Sequence, residues 1–435
     1  MRIEIQGARV IDPGNLDAMA DIFIEHDKIV KIIEHDEIEP IKPSAVRRPP
    51  DVRIIDASGK IVCPGFIDMH VHLREPGHEY KETIETGCRA AACGGFTAVC
   101  AMPNTHPAND NGRLTEYILS KATQANFARV YPVGAISERL EGRRLCKFED
   151  LRAAGAIAVS DDGNPVMDDQ LMRKALEAAR GCDLRVISHC ENLNLNADGV
   201  MNDGPVAVRM ALAGIPNTSE SVMVERDIAL SELTGAPVHI AHVSTAESVR
   251  AIREAKSRAI AVTAETAPHY FMLTDEAVSQ YGTHAKMNPP LRSAKDLNEI
   301  RAGLADGTID VIATDHAPHS TREKAVEFNK AANGIIGLET AVSLGLRLVH
   351  AGVISITGLI EKMSTGPARI LGLENGIRID RSADITLIDP DVAYEVDANK
   401  FQSLSRNCPF DGWQLKGKPV LTMVAGQIIY EEGFK

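Results

Sequence analysis

Several things are scarce in this sequence, and each scarcity removes a class of function. No apolar run approaches the ~18 residues a membrane helix needs. The chain opens MRIEIQGARV, without the basic stretch and apolar core of a secretory leader. Positive charge is in deficit, with 47 Lys and Arg against 60 Asp and Glu, so the net charge of -13 offers no footprint for nucleic acid or an anionic membrane. The eight cysteines include no C-x-x-C pair, which fits reduced thiols in a cytoplasmic protein and not a disulfide framework. No G-x-G-x-x-G follows a strand-like run, which argues against a dinucleotide fold. Internal repeats and low-complexity segments are also absent.

What is present is a long chain of ordinary composition: 435 residues, 44% hydrophobic, enough for one large barrel and an accessory domain. Residues 1–60 read as short strands over Arg2–Ile5, Ala8–Ile11, Asp21–Glu25 and Ile29–Ile33, then a surface loop over Pro40–Asp51 with four prolines. Eight apolar, β-branched runs follow: Ile61–Leu73, Phe96–Pro103, Arg129–Ile136, Ala156–Ser160, Leu184–His189, Val238–Val243, Ile260–Ala264 and Ile309–Thr314. A helix-like segment succeeds each, so the strands should be parallel and covered by helices. Eight such units fit a closed (β/α)₈ barrel over residues 61–373. Beyond a further helical stretch, strands return at Gly376–Ile379, Ala383–Ile388, Pro419–Val424 and Gln427–Tyr430. Residues 1–60 and 374–435 should therefore pair in one small β domain, a β-sandwich built from both ends of the chain.

The chemistry gathers at the carboxyl ends of the strand-like runs, where barrels carry their active residues. The first run ends in His70-Val71-His72 and Arg74. Positions i and i+2 share a face of a strand, so both imidazoles should aim at one point. Asn104 follows the second run, Asp161-Asp162-Gly163 the fourth, His189 the fifth, His242 the sixth, and Asp315-His316 with His319 the eighth. Four histidines and two aspartates suffice for two divalent ions. Asp315 would carry the proton, while Arg74 and Asn104 are placed to bind an anionic substrate. His189 or His242 alone would read as a core histidine. Asp161 and Asp162 could simply form a turn, His316 should point away from Asp315's face, His239 reads as structural, and His269 fits either the barrel mouth or a turn.

Seven segments carry a family resemblance: PGFIDMHVHLREPG (Pro64–Gly77), MPNT (Met102–Thr105), SDDG (Ser160–Gly163), SHCE (Ser188–Glu191), AHVST (Ala241–Thr245), MNPPLR (Met287–Arg292) and DHAPH (Asp315–His319). Together they resemble the long-chain (type I) bacterial dihydroorotases of the amidohydrolase superfamily, over almost the whole chain. The resemblance implies zinc, one or two ions, held by His70, His72, Asp162, His189, His242 and Asp315. It implies substrate contacts from His72, Arg74, Asn104, Asn288, His319 and the Asn333-Gly334 backbone. The implied reaction is reversible cyclisation of N-carbamoyl-L-aspartate to dihydroorotate in pyrimidine biosynthesis. A homodimer and association with aspartate carbamoyltransferase are further family expectations. Many superfamily members bridge two metals with a modified lysine, and no lysine ends the fourth run here. Asp162 would take that place, chosen over Asp161 on motif alignment. The alternatives are another cyclic amidohydrolase (hydantoinase, dihydropyrimidinase or allantoinase) and a non-catalytic partner of the transferase.

Overall fold

A computed structural model describes residues 2–35, 52–196 and 198–433. The loop expected over Pro40–Asp51 lies outside these residues. Eight parallel strands form the barrel: Phe66–Val71, Phe96–Ala101, Arg129–Ala135, Ala158–Ser160, Arg185–Ser188, Val238–Ile240, Val262–Thr266 and Val311–Ile312. Each falls inside, or within two residues of, one of the eight apolar runs. Helices occur after every strand; those after strands four to six are Asp169–Gly181, Thr218–Thr234 and Ala246–Ser257. Strand neighbours follow chain order from first to eighth. Closure between the eighth strand and the first rests on an isolated parallel bridge, Val71 to His316, with the His72 N–H donating to the His316 carbonyl at 2.8 Å.

Side-chain alternation then sets the site. Ala158 and Ile187 belong to a buried apolar cluster with Cys100, Val133, Ala241 and Val311. Asp162 and His189 lie four and two residues beyond Ala158 and Ile187, hence on the same face of their strands. Apolar filling gives way to polar groups at the carboxyl ends.

The first run is two strands, not one. Ile61–Pro64 pairs with Arg9–Val10 and antiparallel with Ile385–Ile388, so it belongs to the terminal sheet. The chain turns at Gly65, where a Cβ would sit 2.2 Å from the Thr97 side chain, and enters the barrel at Phe66.

The terminal sheet has eight strands drawn from both ends of the sequence. Arg2–Ile5 and Ala8–Ile11 form one strand, Arg2–Asp12, with a register shift between Ile5 and Ala8, where Gly7 has φ +71°. Val52–Asp56 is a strand that the sequence reading did not contain; it pairs in parallel with Arg2–Gln6. Gly376–Ile379 is not a strand: the Ile377 N–H donates to the Asp12 carboxylate at 3.0 Å instead of to a ladder, and Gly376 has φ +152°. Ile3, Ile5, Ile22, Ile24, Ile385 and Leu387 belong to this sheet's own apolar core.

Candidate active site

The two histidines of the first strand project into the barrel mouth, and each has its tautomer set from behind. His70 Nδ1–H donates to Glu265 Oε1 at 2.7 Å, which turns Nε2 inward. His72 Nδ1–H donates to Asn104 Oδ1 at 2.7 Å and likewise turns Nε2 inward. Asp162 receives both: its Oδ1 lies 3.3 Å from His70 Nε2 and its Oδ2 3.4 Å from His72 Nε2. The same Oδ1 is 3.3 Å from His189 Nδ1 and 3.4 Å from His242 Nε2. One carboxylate thus stands among four imidazoles. Asp315 completes the group, with Oδ1 3.2 Å from His72 Nε2 and 3.7 Å from His70 Nε2.

The adjacent aspartate is occupied elsewhere. Asp161 accepts the backbone N–H groups of Ile136 and Ser137 at 2.8 and 3.0 Å, and the Ser137 hydroxyl as well. It fastens the third strand to the fourth. His316 also faces away, toward Glu82 at 3.3 Å. His239 donates from Nε2 to Glu265 Oε2 at 3.2 Å and accepts from Thr263 at Nδ1. It therefore supports Glu265 from below.

The second group lies on the loops after the first and eighth strands. Arg74 is buried; its Nε donates to the Pro318 carbonyl at 3.1 Å and one terminal nitrogen reaches His319 Nε2 at 3.3 Å. Its other terminal nitrogen has no hydrogen bond among the described residues. His319 Nε2–H donates to the Asn333 carbonyl at 2.7 Å, and its Nδ1 is buried without a hydrogen bond, 3.8 Å from the Glu323 carboxylate. Asn288 donates to Glu191 at 2.8 Å. Gly334 has φ +130°, and a Cβ there would lie 2.6 Å from the Ala317 side chain, so only glycine fits that wall. Arg74, His242 and Asp315 all have positive φ. Such backbone costs about 1–3 kcal/mol per residue and persists where surrounding structure over-determines it, commonly at functional sites.

Three residues received no role from the sequence. Glu265 is the next-to-last residue of the seventh strand, one position past its apolar run; a carboxylate directly after such a run was the available signal. Glu191 sits inside SHCE and holds His189 Nε2–H at 3.1 Å, so that Nδ1 faces Asp162. His269, left open above, is buried with Nε2 unpartnered, and burial pushes it down to about 4, so it is neutral.

Charge in the cluster is strongly shifted. Burial favours a neutral Asp162, but the His70 charge and the adjacent imidazoles of His189 and His242 bring its carboxyl well below the usual range. Burial likewise opposes a charge on His189, yet Asp162 and Glu191 push it up to about 10. His319 goes the other way: burial, then the charges of Arg74, Lys81 and Lys324, push it down to about 3. It serves the pocket as a neutral imidazole. His70, His72 and His189 each present a ring nitrogen to carboxylate oxygen of Asp162 at 3.3–3.4 Å. His70 Nε2 and Asp162 Oδ1 are buried with no hydrogen bond, and His189 Nδ1 lies 2.8 Å from His242 Nε2. Two triads have donor atoms within 4.8 Å of one another, His70–His72–Asp162 and Asp162–His189–His242. Imidazole with carboxylate is a donor set for divalent transition metals, and these residues fit such an ion.

Comparison with known proteins places this geometry. A family model described as dihydro-orotase-like matches residues 59–248. The chain is 53% identical over 431 residues to a dihydroorotase of Desulforapulum autotrophicum, covering 99% of both chains. It is 52% identical over 434 residues to a dihydroorotase of Syntrophus aciditrophicus, covering 99% of this chain and all of that one. Among solved structures, an L-hydantoinase (dihydropyrimidinase) from Arthrobacter aurescens superposes with a TM-score of 0.86 at 26% identity, covering 99% of this chain and 96% of that one. A dihydropyrimidinase from Brevibacillus agri shares the fold, with a TM-score of 0.82 at 23% identity and coverage of 99% and 95%. With half its residues identical to these relatives over essentially its full length, the chain belongs to the dihydroorotase family.

Proposed function

We propose that this enzyme interconverts N-carbamoyl-L-aspartate and (S)-dihydroorotate with the help of zinc. The observation that carries the reading is adjacency: a six-residue imidazole–carboxylate cluster beside a pocket in which buried Arg74 keeps one terminal nitrogen without a hydrogen bond among the described residues. His70, His72, Asp162, His189, His242 and Asp315 would hold one or two ions. When bound, zinc supplies Lewis acidity toward a carbonyl and lowers the pKa of water toward neutrality. Asp315 takes the proton of the attacking water on a carboxylate oxygen and delivers it to the departing ring nitrogen; cyclisation runs the same transfer backwards. Burial favours a neutral Asp315, but the His72 hydrogen bond and the His70 charge bring it below the ordinary carboxyl range, so it starts as an acceptor.

Arg74 binds the substrate carboxylate, with neutral His319 and Asn104 beside it. His72, Asn288, Asn333 and Gly334 border the ring. A carboxylated ring suits this pocket better than the uncharged rings named for the hydantoinase neighbours. In the division of labour we propose, residues 61–373 carry the chemistry, and residues 1–60 with 374–435 form the small β domain. No helix among the described residues is long and apolar enough to cross a membrane. We place the enzyme in the cytoplasm, as a homodimer able to associate with aspartate carbamoyltransferase. The complete ligand set argues against a purely non-catalytic partner of that transferase.

Purified protein should hydrolyse dihydroorotate, lose that activity when chelated and regain it with zinc. Dihydrouracil, hydantoin and allantoin should be turned over far more slowly. Equal or faster turnover of an uncharged ring would replace the Arg74 argument with the hydantoinase reading.

A further inference from the structure

Two buried lysines stand behind the substrate pocket and touch neither the cluster nor the substrate position. Lys324 ends the short helix Thr321–Lys324 and is 3% exposed. Its ammonium donates to three carbonyls: Ala332 at 2.8 Å, Gly334 at 3.0 Å and Lys286 at 3.2 Å. Lys286 is equally buried and donates to Ala331 at 2.8 Å and Asn329 at 3.2 Å. An ammonium has three protons, and Lys324 commits all of them to backbone oxygen. Burial and the Lys286 charge push Lys324 down to about 7, against the nearby Glu323 carboxylate. A lysine is not placed this way for solubility.

What the pair holds is the far wall of the pocket. Gly334 N–H donates to the Lys286 carbonyl at 2.9 Å, and Ala332 N–H to the Glu323 carbonyl at 3.2 Å. Asn407 Nδ2 donates to the Ala317 and Gly334 carbonyls, both at 3.0 Å, while its Oδ1 accepts the His319 N–H. The Asn333 carbonyl, between two clamped residues, is the atom that meets His319 Nε2. Hence the position of His319, and of the Arg74 guanidinium against it, depends on how the Ala332–Gly334 backbone is held.

We propose that Lys324, seconded by Lys286, is a positioning residue for the carboxylate pocket, clamping the Ala331, Ala332 and Gly334 carbonyls on either side of Asn333 so that His319 and Arg74 are set before substrate arrives. The clamp acts on ground-state binding and leaves the imidazole–carboxylate cluster alone. It rests on the dihydroorotate reading above.

The test uses zinc-loaded full-length enzyme, Lys324→Met, which keeps the stem and removes every donor, and Lys324→Gln, which keeps an amide donor. Expected for Lys324→Met is a KM for dihydroorotate raised about tenfold or more, kcat within about threefold, and zinc content unchanged. Lys324→Gln should fall between it and the parent. Amide hydrogen exchange at Ala332 and Gly334 should quicken, while Ile240 in the sixth strand stays protected. A folded Lys324→Met with parental KM and parental exchange overturns the proposal, as does a fall in kcat at constant KM. If that variant does not fold, Lys324→Gln is judged by the same criteria. If the parent enzyme does not turn over dihydroorotate, the functional reading fails by itself, and exchange at Ala332 and Gly334 still decides whether Lys324 holds the wall.

Discussion

The two halves of the site are built by different means. The imidazole–carboxylate half hangs from strand ends, and three of its four rings have a side-chain partner that fixes their orientation: Glu265 for His70, Asn104 for His72, Glu191 for His189. The carboxylate pocket hangs from loops, and its partners are mostly backbone carbonyls at Pro318, Asn333 and Gly334. The first half tolerates little movement because sheet register sets it. The second is as good as its loop contacts, which is how a common barrel accommodates different ring substrates.

If the halves are separable, damage to one should leave the other's signature intact. The largest effect is expected from Asp315→Asn, which keeps shape and an oxygen ligand but removes the proton acceptor. Turnover should drop by about a thousandfold, on the order of 4 kcal/mol, with zinc content near that of the parent. Near-parental kcat would rule out its proton-carrying role. Glu265→Gln comes next. His70 would lose its charged orienting partner, and zinc affinity, measured by competition with a chelator, should weaken about 10–100-fold. At saturating zinc the KM for dihydroorotate should stay within about twofold; a raised KM with parental metal affinity would break the comparison. Arg74→Met should do the reverse, raising KM about tenfold, the equivalent of one charged hydrogen bond, while zinc affinity holds. An unchanged KM would remove Arg74 from the pocket.

The same contrast explains what could be read in advance. The eight apolar runs were legible because buried parallel strands are continuously apolar, and polar residues at their ends stand out. His70 and His72 were legible because strand alternation is local. Asp161 against Asp162 was not: both end the same strand, and what separates them is whether neighbouring N–H groups at Ile136 and Ser137 claim the carboxylate. Glu265 was invisible as a support because His70 and His239 lie on other strands, whereas Glu191 stands two residues from His189 and was simply given no role. The break at Gly65 was missed because Ile61–Pro64 and Phe66–Val71 are equally apolar, and only sheet membership divides them. The lysine clamp had no local signature, since its acceptors are main-chain atoms brought near by loop geometry.

Asp68 gives the barrel's closing edge an unusual character. Elsewhere neighbouring strands are held by repeated main-chain rungs; between the eighth strand and the first there is a lone bridge. The fully buried Asp68 carboxylate spans that edge, accepting the Thr314 N–H at 3.1 Å and, on its own strand, the His70 N–H at 3.0 Å. A ladder sets spacing by averaging over many bonds. Here one side chain joins the bridge in setting the gauge between the strand bearing His70 and His72 and the strand bearing Asp315. The aperture of the site is thus tunable at a single position, by a residue that touches neither substrate nor ligand atoms, and a change there would shift the bite of the whole cluster without removing any member of it.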